Sequence, residues 1–146
     1  GVTIAKMYRS PNGRELMIGM VRDAVFGPVI SFGSGGTMVE VMGDSAISLP
    51  PLNRRLAQDL IDRTKASKLL GNFRNMPAVN MEQLIDILIC VSNMACELPW
   101  IQEMDINPLR LLKDGSNVCA LDARMVVEKE QLPYSSFAPL KRCKLR

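Results

Sequence analysis

The chain has 146 residues, 47% apolar and 23% charged, enough to bury one sizeable core and to argue for one domain. Its net charge of +3, from 18 basic and 15 acidic residues, gathers in the tail Lys141-Arg142-Cys143-Lys144-Leu145-Arg146, an excess too small and local for a nucleic-acid surface. Histidine is absent, which removes the commonest general base, transition-metal ligand and phosphoryl relay, so any chemistry here must run on carboxylates, amides and cations.

In chain order, Gly1 to Tyr8 and Glu15 to Arg22 are β-prone runs parted by the turn signal Ser10-Pro11-Asn12-Gly13, and they predict a hairpin. The chain enters the first run at once, without an initiator methionine, as a piece of a longer protein would. A break at Asp23 to Gly27, a strand at Pro28 to Phe32, a loop at Gly33-Ser34-Gly35-Gly36 and a short strand at Thr37 to Met42 complete a β-meander. Lys6, Glu15 and Arg22 are expected as solvated charges on its outside.

After Pro50-Pro51 the period becomes helical. Leu56, Ala57, Leu60, Ile61 and Thr64 form one stripe, with Asn53 placed to cap it. A second helix begins at Asn80, where Asn80 and Gln83 have capping-box spacing. Its stripe runs through Met81, Leu84, Ile85, Leu88, Val91, Met94, Ala95 and Leu98 until Pro99 stops it. Ile87, Ile89 and Cys90 broaden the stripe, so this helix is expected to pack on a sheet. The longest apolar run, Leu84 to Val91, is interrupted by Asp86 and falls far short of the roughly 20 residues that span a bilayer, and no signal peptide is visible. No membrane partner is expected. Cys90, Cys96, Cys119 and Cys143 form no C-x-x-C pair, which argues against zinc or a disulfide framework and for a reducing compartment, the cytoplasm.

Two strands remain, Ile101 to Leu112 and Asn117 to Val127, joined by Lys113-Asp114-Gly115-Ser116. A regular antiparallel hairpin through this turn sets Leu112 against Asn117, Asn107 against Asp122 and Asp105 against Arg124. All four polar side chains then share one face, unless Pro108 bends the strand and slips the register. Beyond Glu128, the segment Leu132 to Pro139 reads as a linker or tail.

Asp105, Asn107 and Asp122 are hard oxygen donors, a composition that suits magnesium held together with waters and phosphates. Arg124 is placed to neutralise Asp105 or to reach a phosphate oxygen. The alternative is a local turn before Pro108 and a surface pair between Asp122 and Arg124. The Gly33 to Gly36 loop either offers backbone N–H groups to a phosphate or is a plain strand connection, since no P-loop Lys-Ser/Thr follows it.

Taken together, Gly13-Arg14-Glu15-Leu16, Gly19-Met20-Val21-Arg22-Asp23, Phe26-Gly27-Pro28-Val29, Phe32-Gly33-Ser34-Gly35-Gly36, Val39-Glu40, Asp105-Ile106-Asn107-Pro108-Leu109 and Leu121-Asp122-Ala123-Arg124 resemble, in order and spacing, the ATP-grasp domain of NDP-forming acyl-CoA synthetases. The resemblance covers nearly all of Gly1 to Val127. It implies an α+β fold for residues 1–128: the C-terminal subdomain of an ATP-grasp domain, with a β-meander, two helices and a C-terminal hairpin. Residues 129–146 would then be the linker or tail.

The implied activity is that of an NDP-forming acyl-CoA synthetase, which joins an acid to CoA with ATP cleaved to ADP and phosphate, or the reverse, by way of an acyl phosphate and a phosphohistidine outside this chain. The resemblance also implies Mg2+ with ATP or another nucleoside triphosphate as cofactor. Asn107 and Asp122 would hold the metal. Asp105 would stand near the transferring phosphoryl group, where succinyl-CoA synthetases carry glutamate, and Glu15, Gly35, Gly36 and Arg124 would contact nucleotide or phosphate. The implied partners are the preceding ATP-grasp subdomain, with its phosphate-binding lysine, and the CoA-binding and ligase domains. The fragment alone is expected to be inactive. The family also contains multidomain GNAT acetyltransferases carrying an ATP-grasp-like module, and Leu132 to Leu140 is loosely similar to the linker entering that domain, so a regulatory module in such a protein is the alternative.

Overall fold

The computed structural model describes residues 1–2, 4, 14–36, 43–72, 78–111 and 118–128. Most of the expected first strand, the Ser10 to Gly13 turn, the Thr37 to Met42 strand, the Lys113 to Ser116 turn and the tail after Glu128 lie outside these residues. Of the expected first strand, Val2 and Ile4 are exposed and carry no regular structure.

Alternation of apolar residues builds the sheet. In β1 (Arg14–Asp23), Leu16, Ile18 and Met20 are buried on one face, and in β2 (Gly27–Ser34) Ile30 and Phe32 join them. The turn between these strands is held by Asp23, whose Oδ1 accepts from the N–H groups of Val25 at 2.8 Å and Phe26 at 2.9 Å. The next strand is β3 (Ser45–Ser48), which pairs with β2 from Ile30↔Ser48 to Gly33↔Ser45. Its four residues carry little strand signal of their own, and the pairing comes from β2. Then β4 (Ile101–Leu111) lies beside β1, while β5 (Val118–Ala120) and β6 (Ala123–Val127) both pair with the other edge of β4. Among the described residues the result is one antiparallel six-stranded sheet, ordered β3-β2-β1-β4 and closed by β5 and β6.

Helices α1 (Arg54–Asp62), α2 (Ser67–Leu70) and α3 (Met81–Glu97) follow β3, and α1 and α3 pack on β2. Both expected caps form. Asn53 accepts from Leu56 N–H at 2.9 Å and Asn80 from Gln83 N–H at 3.1 Å. Ala57, Leu60, Ile61, Leu84, Ile85, Leu88, Val91 and Ala95 meet the sheet's apolar face in one core. Leu56, expected on the stripe, is 39% exposed. No helix among the described residues is long and apolar enough to cross a membrane.

Arg22 departs from expectation. It is half-buried, and its guanidinium donates to the carbonyls of Ala95 at 3.0 Å, Ile101 at 3.3 Å and Leu98 at 3.4 Å. Its even position in β1 turns it to the helix side, beside Met20. There it supplies a cation to the C-terminal end of α3, which has no basic residue in its own last turn.

Candidate functional site

Asp105 pairs with Arg124, and beyond an interruption Leu109, Arg110 and Leu111 pair with Ala120, Cys119 and Val118 in the same register. Across the interruption, Asn107 N–H donates to the Asp122 carbonyl at 3.1 Å and Leu121 N–H to the Pro108 carbonyl at 3.0 Å. Pro108 has no N–H to return, so the ladder breaks there into β5 and β6 without slipping. The pairing expected from the hairpin therefore holds at Asp105/Arg124 and Asn107/Asp122.

On its other edge β4 bulges. Leu16 pairs with Leu109 but Ile18 with Ile106, so Asn107 and Pro108 together stand opposite Met17. At this bulge the Asn107 side chain meets the glycine loop, where its Oδ1 accepts from Gly36 N–H at 2.8 Å. The preceding N–H, that of Gly35, donates to the Glu15 carbonyl at 2.9 Å. Glu15 stands opposite Arg110 in the ladder, with its carboxylate 3.9 Å from that guanidinium. Thus Glu15, Gly35, Gly36 and Asn107 come together at the bulge. The N–H groups of Gly35 and Gly36, the loop residues implied to contact phosphate, are thus both engaged within the protein.

The loop is also tied at its base. Ser34 Oγ donates to Asp44 Oδ2 at 2.7 Å, and the Asp44 carboxylate accepts from the N–H groups of Lys65 at 2.6 Å and Ala66 at 2.8 Å. Burial alone would raise this carboxyl, but the hydrogen bonds from Ser34, Lys65 and Ala66 and the Lys65 charge hold it below the ordinary carboxylate value.

Asp105 pairs with Gly19 on the side away from Arg124. It borders an open hollow of about 410 Å³ shared with Met17, Gly19, Ser31, Arg124 and Val126. Burial pushes its carboxyl above the usual value; Arg124 pulls it down and the Asp122 carboxylate pushes it up again. Asp105 and Asp122 therefore share one field, with Asn107 between them in the ladder. No group of three or more Asp, Glu, His or Cys converges among the described residues. The donor set is two carboxylates and one amide, all oxygen, which fits a magnesium ion that takes its remaining ligands from water and phosphate.

Sequence reasoning did not single out Asp44 or Arg110, and it read Arg22 as a solvated charge. Each meets its partners only through the folded sheet, and no local spacing marks them.

Residues 1–127 match the family described as the ATP-grasp domain. The chain belongs to the ATP-grasp family. This ATP-grasp chain is 41% identical over 127 residues to the beta subunit of acetate–CoA ligase [ADP-forming] I from Pyrococcus furiosus, covering 87% of the chain and 53% of that subunit. It is 37% identical over 130 residues to acetate–CoA ligase [ADP-forming] I from Archaeoglobus fulgidus, covering 89% of the chain and 18% of that protein. Among solved structures, the dinucleotide-forming acetyl-coenzyme A synthetase 1 of Ca. Korarchaeum cryptofilum aligns with a TM-score of 0.76 at 38% identity, over 82% of this chain and 55% of that one. That structure holds coenzyme A and Mg-AMPPCP, with its phosphohistidine segment pointing towards the nucleotide-binding site. The chain thus spans about half the length of the Pyrococcus subunit and less than a fifth of the Archaeoglobus protein.

Proposed function

We propose that this chain is the nucleotide- and magnesium-binding C-terminal half of the ATP-grasp domain of a cytoplasmic ADP-forming acyl-CoA synthetase, an acid-thiol ligase. The observation that carries this is the β4-β6 ladder. It sets Asp105 against Arg124 and Asn107 against Asp122 and collects oxygen donors where two carboxylates already repel. In this reading residues 1–128 form the ATP-grasp half and residues 129–146 a linker or tail.

Asn107 and Asp122 hold the metal, while Arg124 favours the ionised form of Asp105 at the transferring phosphoryl group and is placed to meet a phosphate oxygen. Glu15, Gly35 and Gly36, gathered with Asn107 at the β4 bulge, lie beside the nucleotide's phosphates in this reading. When bound, the magnesium neutralises charge on the nucleotide's phosphate oxygens. The preceding ATP-grasp subdomain, the CoA-binding and ligase domains and the phosphohistidine come from outside this chain, as do the nucleotide and the acyl-CoA or acyl phosphate. Incubating the full-length gene product with radiolabelled ATP and magnesium should label a histidine, and the Asn107→Ala/Asp122→Ala variant should not be labelled. Undiminished labelling of the variant would overturn the assignment.

A further inference from the structure

We infer that Gly36 is a positioning residue for the Asn107 amide, acting on the metal through Asn107 and not as a donor to phosphate. The inference rests on the metal role given to Asn107 above. Its ground is a three-way contact at the β4 bulge. Gly36 N–H donates to Asn107 Oδ1 at 2.8 Å, which fixes the amide oxygen towards the loop and leaves that oxygen one further lone pair for a cation. Gly36 has φ +80°, a conformation that L side chains rarely adopt, and a Cβ built there would come within 2.5 Å of Glu15 Oε2. The loop is seated by Gly35, whose N–H bonds to the Glu15 carbonyl and whose Cα lies so close to β1 that a Cβ would overlap the Leu16 backbone. A donor engaged by Asn107 is not free for phosphate. Orientation of a metal-binding side chain by a hydrogen bond from outside the ligand set commonly changes metal affinity by about 10- to 100-fold.

The test compares wild type, Gly36→Ala, Asn107→Ala and the double variant in the full-length gene product. The measurements are Mn2+ affinity in the presence of ADP, by electron paramagnetic resonance, and the affinity for ADP without metal. Positioning predicts that Gly36→Ala weakens Mn2+ at least tenfold, leaves metal-free ADP binding within about twofold, and has no further effect on an Asn107→Ala background. A phosphate donor would instead weaken metal-free ADP binding and would keep its effect in that background, overturning the inference. If Asn107→Ala weakens Mn2+ but Gly36→Ala does not, the inference fails alone. If Asn107→Ala leaves Mn2+ affinity unchanged, the metal assignment fails and the inference with it. Should Gly36→Ala not fold, residue-resolved amide exchange decides: adding Mg2+ with ADP should slow Gly36 N–H exchange in wild type and not in Asn107→Ala. Equal slowing in both overturns the inference.

Discussion

Asn107 donates its backbone N–H to the Asp122 carbonyl at 3.1 Å, so these two residues are held together by the main chain and not by any ligand. Replacing both side chains by alanine leaves that bond intact, and neither residue belongs to the buried core. The Asn107 side chain also accepts from Gly36 N–H, so the unliganded full-length protein should lose about 1–2 kcal/mol. What should disappear is stabilisation by Mg-ATP, worth about 2.7 kcal/mol at a hundredfold excess over the dissociation constant. Thermal melts with and without Mg-ATP read both effects, and an Asn107→Ala/Asp122→Ala protein that still gains the ligand shift would contradict the assignment.

Arg22 donates to the carbonyls of Ala95, Leu98 and Ile101 and so fastens β1 to the C-terminal end of α3. Arg22→Ala removes three charge-assisted hydrogen bonds from a half-buried site and should cost about 2 kcal/mol, a drop of roughly 4–8 °C in Tm. Arg22→Lys should recover only part of this, because an ammonium cannot span three carbonyls as a planar guanidinium does. Nucleotide affinity at saturating magnesium should be unaffected, since Arg22 lies on the helix side of the sheet.

The contrast between Arg22 and the helix caps shows what a sequence alone makes legible. Asn53 and Asn80 cap helices through N–H groups three residues away, and the Asp105/Arg124 pairing follows from turn length and a period of two, so local spacing contains the answer. Arg22 finds its carbonyls 73 to 79 residues later in the chain. Nothing near it in sequence separates this role from that of a solvated charge. Strand β3 was hidden for a related reason, because Ser45-Ala46-Ile47-Ser48 has little intrinsic strand preference and is specified by pairing with β2. The family resemblance made the site's residue types legible. The Gly36 to Asn107 hydrogen bond, spanning 71 residues and depending on a bulge in β4, was not.

Asp44 should make part of the acid sensitivity of the fold. Its carboxyl lies below the ordinary value in the folded state, so its stabilisation is present above the unfolded value of about 3.9 and is lost as pH falls from there through the folded value. Asp44→Asn cannot supply acceptors to Ser34, Lys65 and Ala66 together, and should cost about 2 kcal/mol at neutral pH. It should also flatten the stability profile below about pH 4 relative to wild type. Urea melts across pH 3 to 7 test both statements; parallel profiles for the two proteins would show that the Asp44 hydrogen bonds contribute nothing.

Gly35 and Gly71 should respond oppositely to the same substitution. At Gly71 the backbone has φ −73° and ψ −170°, and a Cβ would meet nothing within 4 Å. Gly71→Ala should thus be neutral or stabilise by about 0.4–1 kcal/mol, through the reduced freedom of the unfolded chain. At Gly35 a Cβ would overlap the carbonyl, carbon and nitrogen of Leu16, atoms of a central strand that no rotamer change can move. Gly35→Ala must lift the loop from β1, breaking the Gly35 N–H bond to Glu15 and drawing Gly36 away from Asn107, at a cost of about 1–3 kcal/mol. Because the loop carries the Asn107 contact, the same variant should weaken Mn2+ binding in the full-length protein alongside its loss of Tm. A Gly35→Ala protein with wild-type Tm and metal affinity would show that the loop's seat on β1 positions nothing.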